Sequence, residues 1–389
     1  MVYNPNILAD VLRARSLTPQ QLSERLGVSF QELERELRRE PEPKQGILNE
    51  IAKELALPSF VFYMKKAPAL RDNIPDFRSD TPRLSAKSRE TTETIQFAEG
   101  VQQAAAQLGA KPAADLPQFK ATKLQEVESF ALAARKFFNI TLEDQANAKD
   151  ARVFYVLCRK RIEDKGVFVL HDSFPHEDGS GFCLSHPTHP LIVINTKQQT
   201  RGRRLFTLAH ELGHVLMRKS GISDPFVSRN ATERLCNRFA ASFLMPSSFV
   251  SALLKNATVE REPDPDYIAW VSRRFKTSQQ AAVLRLEQLD LVNEGSHDNW
   301  LRLMHNRNPD YSREKGGGAN GPPPQEKVKL AKYGFRFAEA FAPLLEKGRV
   351  SQINLYRASG LKPKYQRQYF NYAHSLTESE LQNLELEDD

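Results

Sequence analysis

No run of about twenty apolar residues occurs anywhere in these 389 residues, so no membrane-spanning helix is expected. The opening residues, Met1-Val2-Tyr3-Asn4-Pro5-Asn6, have neither the basic nor the apolar region of a signal peptide. Cysteine is scarce. Cys158, Cys183 and Cys236 are odd in number and scattered, which argues against a disulfide framework and fits a reducing cytoplasm. No pair of cysteines stands at metal-binding spacing, and there is no internal repeat. Acidic residues are outnumbered: 55 Lys and Arg against 48 Asp and Glu leave a net charge of +7, which permits contact with nucleic acid without requiring it. The length argues for two or more domains.

What is present is concentrated in Thr207-Leu208-Ala209-His210-Glu211-Leu212-Gly213-His214-Val215-Leu216, an HExxH element in an apolar helical run. Residues four apart share a helix face, so His210 and His214 can grip one zinc ion from the same side. Glu211 lies beside that face, placed to take a proton from the attacking water. Leu205, Leu208, Ala209, Leu212, Val215 and Leu216 form the apolar stripe that buries the helix. Gly213 lets another segment approach closely. Arg201, Arg203 and Arg204 precede the helix, where cations do not help its dipole, so they face solvent or a partner.

A catalytic zinc needs a third protein ligand. Glu233 is the candidate, on a helical stretch that runs from Ala231 and stops at Pro246. Asn237 is four residues on and can face the metal too. Cys236 is either a rival ligand on that face or a small buried residue. Upstream, Gly166-Val167-Phe168-Val169-Leu170, Gly181-Phe182-Cys183-Leu184 and Leu191-Ile192-Val193-Ile194-Asn195 read as short strands. A small sheet of this kind can hold an extended peptide at its edge. His171, His176, His186 and His189 cluster between them. Pro175, Pro187 and Pro190 interrupt the cluster, which favours solvent-facing loop histidines over a second metal. A further reading has one of them stabilise an oxyanion.

From about Glu126 to Pro246 the chain resembles the ImmA/IrrE family of zinc metallopeptidases. The residues that carry the resemblance are the Ile192–Asn195 strand, Arg204 to His214, and Glu233 to Pro246. The family's two His ligands, catalytic Glu and downstream Glu ligand fall on His210, His214, Glu211 and Glu233. Its Ala-Asn pair is Cys236-Asn237 here, its leucine pair before Met-Pro is Phe243-Leu244, and Leu235 stands where an acidic residue is frequent. These departures leave the expected ligands intact and bear on the pocket wall. The resemblance implies a zinc-dependent endopeptidase of narrow specificity. Its substrate would be a regulatory protein, most often a DNA-bound repressor, whose cleavage switches on a stress, mobile-element or defence response. It also implies that a trigger such as DNA damage products can be required. The alternative is a DNA-binding transcription regulator or antitoxin-like module with a silent or structural zinc site. Glu211 weighs against that alternative, because a structural site has no use for a general base.

The expected fold is α+β and mostly helical: a zincin-like catalytic domain with a small β-sheet, flanked by helical modules. The expected divisions are 1–66, a helix-turn-helix domain; 67–124, a helical connector; 125–255, the peptidase domain; 256–294, a second helix-turn-helix-like unit; 295–326, a linker; 327–376, a basic helical module; and 377–389, an acidic tail. In the first domain Thr18 caps a helix, with Pro19 first and Gln21 completing a capping box. Gly27 sits in the turn and Ser29 caps the next helix. This resembles the Xre/Cro-type domain often fused ahead of such peptidases. Its third helix carries Gln31, Glu32, Glu34 and Glu36 beside Arg35, Arg38 and Arg39, so DNA binding and a docking or dimerisation role both stand. Asp72 to Arg78 resembles an extended Pro-Asp-Phe-Arg segment of the fused members.

In the second unit Ser278 caps a helix bearing Gln279, Gln280 and Arg285, flanked by Arg273, Arg274 and Lys276. It reads either as a nucleic-acid surface or as a lid packed on the catalytic domain. Gly316 to Pro324 reads as a linker. Beyond it Lys362, Lys364 and Arg367 alternate with Tyr365, Tyr369, Phe370 and Tyr372. These residues suit either single-strand binding or an amphipathic helix with its aromatics buried. The partners to expect are a protein substrate, a helix-turn-helix repressor foremost, then DNA, single- or double-stranded, and a second copy of the chain; no membrane.

Overall fold

The computed structural model describes residues 3–14, 17–55, 57, 59–64, 88–120, 123–197, 199–223, 231–255, 261–262, 264–307, 323–381 and 384. The segment 72–78, the glycine run 316–318 and the tail residues 385–389 lie outside them.

Four helices open the chain: α1 (Pro5–Ala14), α2 (Pro19–Leu26), α3 (Phe30–Leu37) and α4 (Gln45–Glu54). Local chemistry sets their ends. The Thr18 hydroxyl accepts from the Gln21 N–H while the Gln21 side chain accepts from the Thr18 N–H. Pro19 takes the first position, where no N–H is needed. Gly27 ends α2 at φ 70°, a left-handed turn that suits a residue without a β-carbon. Ser29 caps α3 by accepting from the Glu32 N–H. The cations around α3 turn to its own carboxylates: Arg38 to Glu34 at 2.5 Å, Arg39 and Lys44 to Glu36 at 3.9 and 3.4 Å. Exposed pairs of this kind are each worth under about 1 kcal/mol, but they leave a face of mixed charge.

The chain continues through α5 (Arg89–Gln107), α6 (Leu124–Phe137), α7 (Leu142–Asn147) and α8 (Ala151–Glu163). Then come β1 (Phe168–Asp172), β2 (Gly181–Leu184), β3 (Leu191–Asn195), α9 (Arg201–Leu216), β4 (Gly221–Ser223) and α10 (Ala231–Leu244). After α10 the regular elements are all helices: α11 (Ser247–Leu254), α12 (Pro265–Phe275), α13 (Gln279–Gln288), α14 (Ser296–Arg307), α15 (Gln325–Glu346), α16 (Gln352–Ser359), α17 (Pro363–Ser375) and a single turn, α18 (Glu378–Leu381), within the stretch expected as an acidic tail. The fold is α+β, mostly helical, around a four-stranded mixed sheet ordered β1-β3-β2-β4. β1 runs parallel to β3 with Val169 opposite Ile192, and β2 is antiparallel to both β3 and β4. β2 and β3 are buried throughout and β1 all but its last residue, so the strands read as apolar runs whose polar members are His171, Asp172, Asn195 and Ser223. α9 packs across β2 and β3. At three residues, β4 is too short to show an alternating pattern, and the sequence reading has no counterpart for it.

The last carbonyls of a helix lack intrahelical donors, and those at the end of α10 and of the residue just after it are met from three other elements. Arg135 of α6 donates to Phe243 O at 2.8 Å, Gln145 of α7 to Leu244 O at 2.9 Å, and Arg285 of α13 to Met245 O at 2.9 Å. Helices α11 to α14 enclose a second core around Val250, Ile268, Val271, Leu286 and Trp300. Thus the stretch read as a linker from residue 295 begins with a helix whose Trp300 is 1% exposed.

α15 lies along β1 and joins the main core through Leu330, Phe335, Phe337 and Phe341. It breaks at Gly334, where φ is 77° and ψ −175°, a region essentially reserved for glycine. The break opens the Phe335 N–H to Ala331 C=O bond. Two fully buried side chains of α8 take its ends: the Phe335 N–H donates to Glu163 at 2.9 Å, and Arg159 donates to Ala331 O at 2.7 Å. The same pair holds the edge strand, since the Val169 N–H donates to Glu163 and Arg159 donates to Val169 O. A β-carbon at Gly334 would collide with the Glu163 carboxylate. Gly334→Ala is therefore expected to cost about 2 kcal/mol or more, combining backbone strain with the clash. A denaturation midpoint equal to wild type would contradict this.

Candidate metal centre

Thr200 opens α9 by accepting from the Arg203 N–H. The helix then carries Thr207, His210, Glu211 and His214 inward, each with no exposed surface. α10 crosses it at Gly213, as the missing side chain suggests. A β-carbon there would meet Phe239 Cδ1 at 3.1 Å and Cys236 Sγ at 3.4 Å. This close crossing brings Glu233 to the two histidines. His210 Nε2 lies 3.2 Å from one Glu233 oxygen, His214 Nε2 2.9 Å from the other, and the two Nε2 atoms are 3.1 Å apart. Among the described residues this is the one group of His, Cys, Asp or Glu side chains able to hold a metal.

The donor set fits zinc. A tetrahedral shell with bonds of about 2.0–2.1 Å spaces its donors about 3.3 Å apart, close to the separations here. Three lone-pair atoms held together in a buried site repel unless a proton or cation lies among them. The titration behaviour agrees. Burial pushes the Glu233 carboxyl up, but the facing imidazoles outweigh it and hold it at about 2. Burial also opposes charge on His210, yet Glu233 raises that imidazole above its ordinary value. For His214 burial prevails and the pKa is lowered. An ionised Glu233 and a neutral His214 are the forms that bind metal, and a metal ion would take the place of the proton that Glu233 favours on His210.

Glu211 stands apart from the converging donors. Its Cγ lies 3.4 Å from where a β-carbon on Gly181 would be, so it packs against the start of β2. Gly181 pairs with Ser223 of β4. The need for glycine at 181 is invisible in the sequence, because it arises from the paired strand and the helix together: a β-carbon there would meet Val193 O at 2.8 Å and Thr207 Cγ2 at 3.0 Å. Asn237 is not itself one of the converging donors. It meets the other side of the His210 ring, Oδ1 to Nδ1 at 2.7 Å. Cys236 is buried beside Met217 Sδ at 3.7 Å, and burial lifts its thiol well above the ordinary range.

The four upstream histidines belong to other networks. His171 and His189 are buried rather than solvent-facing. His171 pairs with the Tyr155 hydroxyl, and His189 bonds Thr188 and Ala110 O. His186 accepts from the His189 N–H, and His176 sits exposed beside Glu177.

Of the residues expected at nucleic acid, Arg273 and Arg274 are exposed at the end of α12, and Lys276 and Gln279 are half-buried. The start of α13 is pressed on α9: a β-carbon on Gly202 would meet Ser278 N at 2.9 Å. A recognition helix reads bases with its N-terminal residues, and here Ser278 abuts α9 while Ser278, Gln279 and Gln280 are all half-buried. Arg285 is buried against Glu128 at 2.6 Å, so it takes no part in an exposed face. On α17, Lys362, Lys364 and Arg367 are exposed while Tyr369 and Phe370 are buried.

A helix offering two imidazoles one turn apart, a glutamate from the next helix completing the set, and a small mixed sheet alongside together suit a metallopeptidase. The comparisons agree. Residues 162–287 match the Peptidase_M78 family, described as an IrrE N-terminal-like domain. The chain is similar to the radiation response metalloprotease IrrE of Deinococcus radiodurans, 30% identical over 110 residues, 26% of this chain and 32% of that protein. It is 31% identical over 110 residues to the protein of the same name from Deinococcus deserti, covering 26% and 37% of the two chains. The chain thus spans about a third of the length of these relatives. Among the described residues no helix is long and apolar enough to cross a membrane.

Proposed function

We propose that this chain is a zinc-dependent endopeptidase that cleaves a regulatory protein, a helix-turn-helix repressor, in a stress, mobile-element or defence response. The observation that carries the reading is the buried convergence of His210, His214 and Glu233 with Glu211 on the same helix. The match of residues 162–287 and the printed names of the relatives support the stress-response class. Zinc bound there would supply a Lewis acid that polarises the scissile carbonyl and acidifies water. Glu211 takes the proton of the attacking water and returns it to the leaving amine. His210, His214 and Glu233 hold the metal.

An extended substrate segment pairs with the outer edge of β4. The other edge is taken, since the Val169 N–H and C=O go to Glu163 and Arg159. Among the described residues no strand lies beyond β4, and its Ser223 faces the Gly181 against which Glu211 packs.

The test is mass spectrometry of new protein N-termini in cells producing wild type or Glu211→Gln, with and without DNA damage. Termini that require Glu211 name the substrate. Their absence under both conditions removes the support for a peptidase.

DNA as the trigger is supported by the exposed cations Lys362, Lys364 and Arg367. The ammonium groups of Lys364 and Lys329 lie 4.6 and 5.5 Å from the Tyr365 ring, the mixture that binds single strands by charge and stacking. Single-stranded DNA is expected to raise the cleavage rate, and Lys362→Ala/Lys364→Ala to abolish the increase. A rate indifferent to DNA sinks this part of the reading alone.

A further inference from the structure

We infer that Asn237 is a positioning residue for the metal centre, fixing the tautomer and rotation of the His210 ring through its amide oxygen. The inference rests on the metallopeptidase reading and adds a residue to its site. An imidazole ring that coordinates must keep one nitrogen free of hydrogen. For His210 that nitrogen is Nε2, which faces Glu233 and His214 at 3.2 and 3.1 Å. Nδ1 faces Asn237 Oδ1 at 2.7 Å. A carbonyl oxygen has no hydrogen to give, so the neutral ring carries its hydrogen on Nδ1 and donates it. With the amide reversed, its NH2 would donate to Nδ1 and drive the ring hydrogen onto Nε2, where it would block coordination.

The arrangement follows from helix geometry. Glu233 and Asn237 are four residues apart on α10 and share a face, so one helix grips the His210 ring at both nitrogens. The grip is possible because α10 comes so near at Gly213. Partners of this kind raise ligand basicity, and their loss typically costs about 10–100-fold in metal affinity. The residue is an amide rather than a carboxylate. The site already buries two carboxyl groups, Glu211 and Glu233, and a neutral acceptor orients the ring without adding a third charge.

The test compares wild type, Asn237→Ala, Asn237→Ser, Asn237→Asp and His214→Ala. Zinc affinity is measured by competition with a chromophoric chelator, alongside the visible spectrum of the cobalt(II)-loaded proteins and their melting temperatures. Asn237→Ala and Asn237→Ser are expected to bind zinc about 10–100-fold more weakly with shifted cobalt bands. Asn237→Asp is expected to bind at least as tightly as wild type. Equal affinity and an unchanged cobalt spectrum in a folded Asn237→Ala or Asn237→Ser overturn the inference while leaving the metal reading intact. If wild type takes up no zinc, or His214→Ala takes it up equally well, the metal reading falls and the role of Asn237 with it.

Discussion

Replacing Glu211 by Gln is expected to slow cleavage about 10²–10⁴-fold while leaving zinc uptake unchanged. The two halves of this expectation come from different features of the site. Glu211 is adjacent in sequence to His210 but outside the converging donors, and it packs against Gly181 at the start of β2. Gln has nearly the same shape and can still fill that space, so the helix and its histidines stay in place. What Gln cannot do is accept a proton at neutral pH, and the water then attacks without a base. His214→Ala makes the contrast. It removes a donor 2.9 Å from Glu233, so metal and activity are lost together. Zinc content by elemental mass spectrometry and turnover of the substrate's scissile peptide distinguish the cases. Undiminished turnover in Glu211→Gln would place the base elsewhere. Equal loss of zinc in both variants would make Glu211 a ligand or a structural residue.

The features legible in the sequence are those whose cause is local. The helix ends at Thr18, Ser29 and Ser278 are set by side chains bonding backbone groups three residues away, and such spacings can be read directly. The same holds for His210 and His214, which the helical repeat stacks on one face. Glu233 is different. Its distance from the histidines is a tertiary fact, set by the close crossing of α9 and α10 at Gly213, and in the sequence the family resemblance points to it. Asn237 was visible at the right spacing, but spacing alone does not tell a ligand from a residue that holds a ligand.

Where the cause is non-local the sequence is silent or points the other way. Arg159 and Glu163 are four apart on a helix, the pattern of an exposed ion pair, yet neither has any exposed surface. Their burial is explained by the edge of β1 and by the opened bond in α15, the latter 172 residues along the chain from its two partners. Arg336 counts toward a basic module in the sequence, but it is 3% exposed, with its guanidinium over the Phe168 ring and donating to Lys111 O. His171 and His189 likewise sit among prolines that suggest open loops. Their burial comes from Tyr155 and Ala110, partners that no local pattern announces.

Arg159→Met is expected to destabilise the chain by about 3–5 kcal/mol at neutral pH, and the loss is expected to grow with pH. Two effects add. The carbonyls of Ala331 and Val169 lose their buried donor, at about 1–3 kcal/mol each. Glu163 loses the cation that partly offsets its burial. Burial already lifts this carboxyl from 4.5 to about 7, so the folded chain holds the proton more tightly than the unfolded chain. Its contribution is therefore complete below about pH 4.5 and is lost as pH rises through 7. Removing Arg159 raises the folded value further and widens the window over which stability is lost. In acid, where the carboxyl is protonated in both states, only the carbonyl cost remains. Buried ion pairs can often be replaced by hydrophobic residues without loss, but that exchange is not expected to work here. Glu163 also accepts from the Phe335 and Val169 N–H groups, so Arg159→Met/Glu163→Leu would strand four backbone groups. Chemical denaturation between pH 5 and 8, with hydrogen exchange at Val169 and Phe335, measures both effects. A double variant as stable as wild type, or a pH-independent loss in Arg159→Met, would show that the pair neither satisfies the kink nor carries a buried charge.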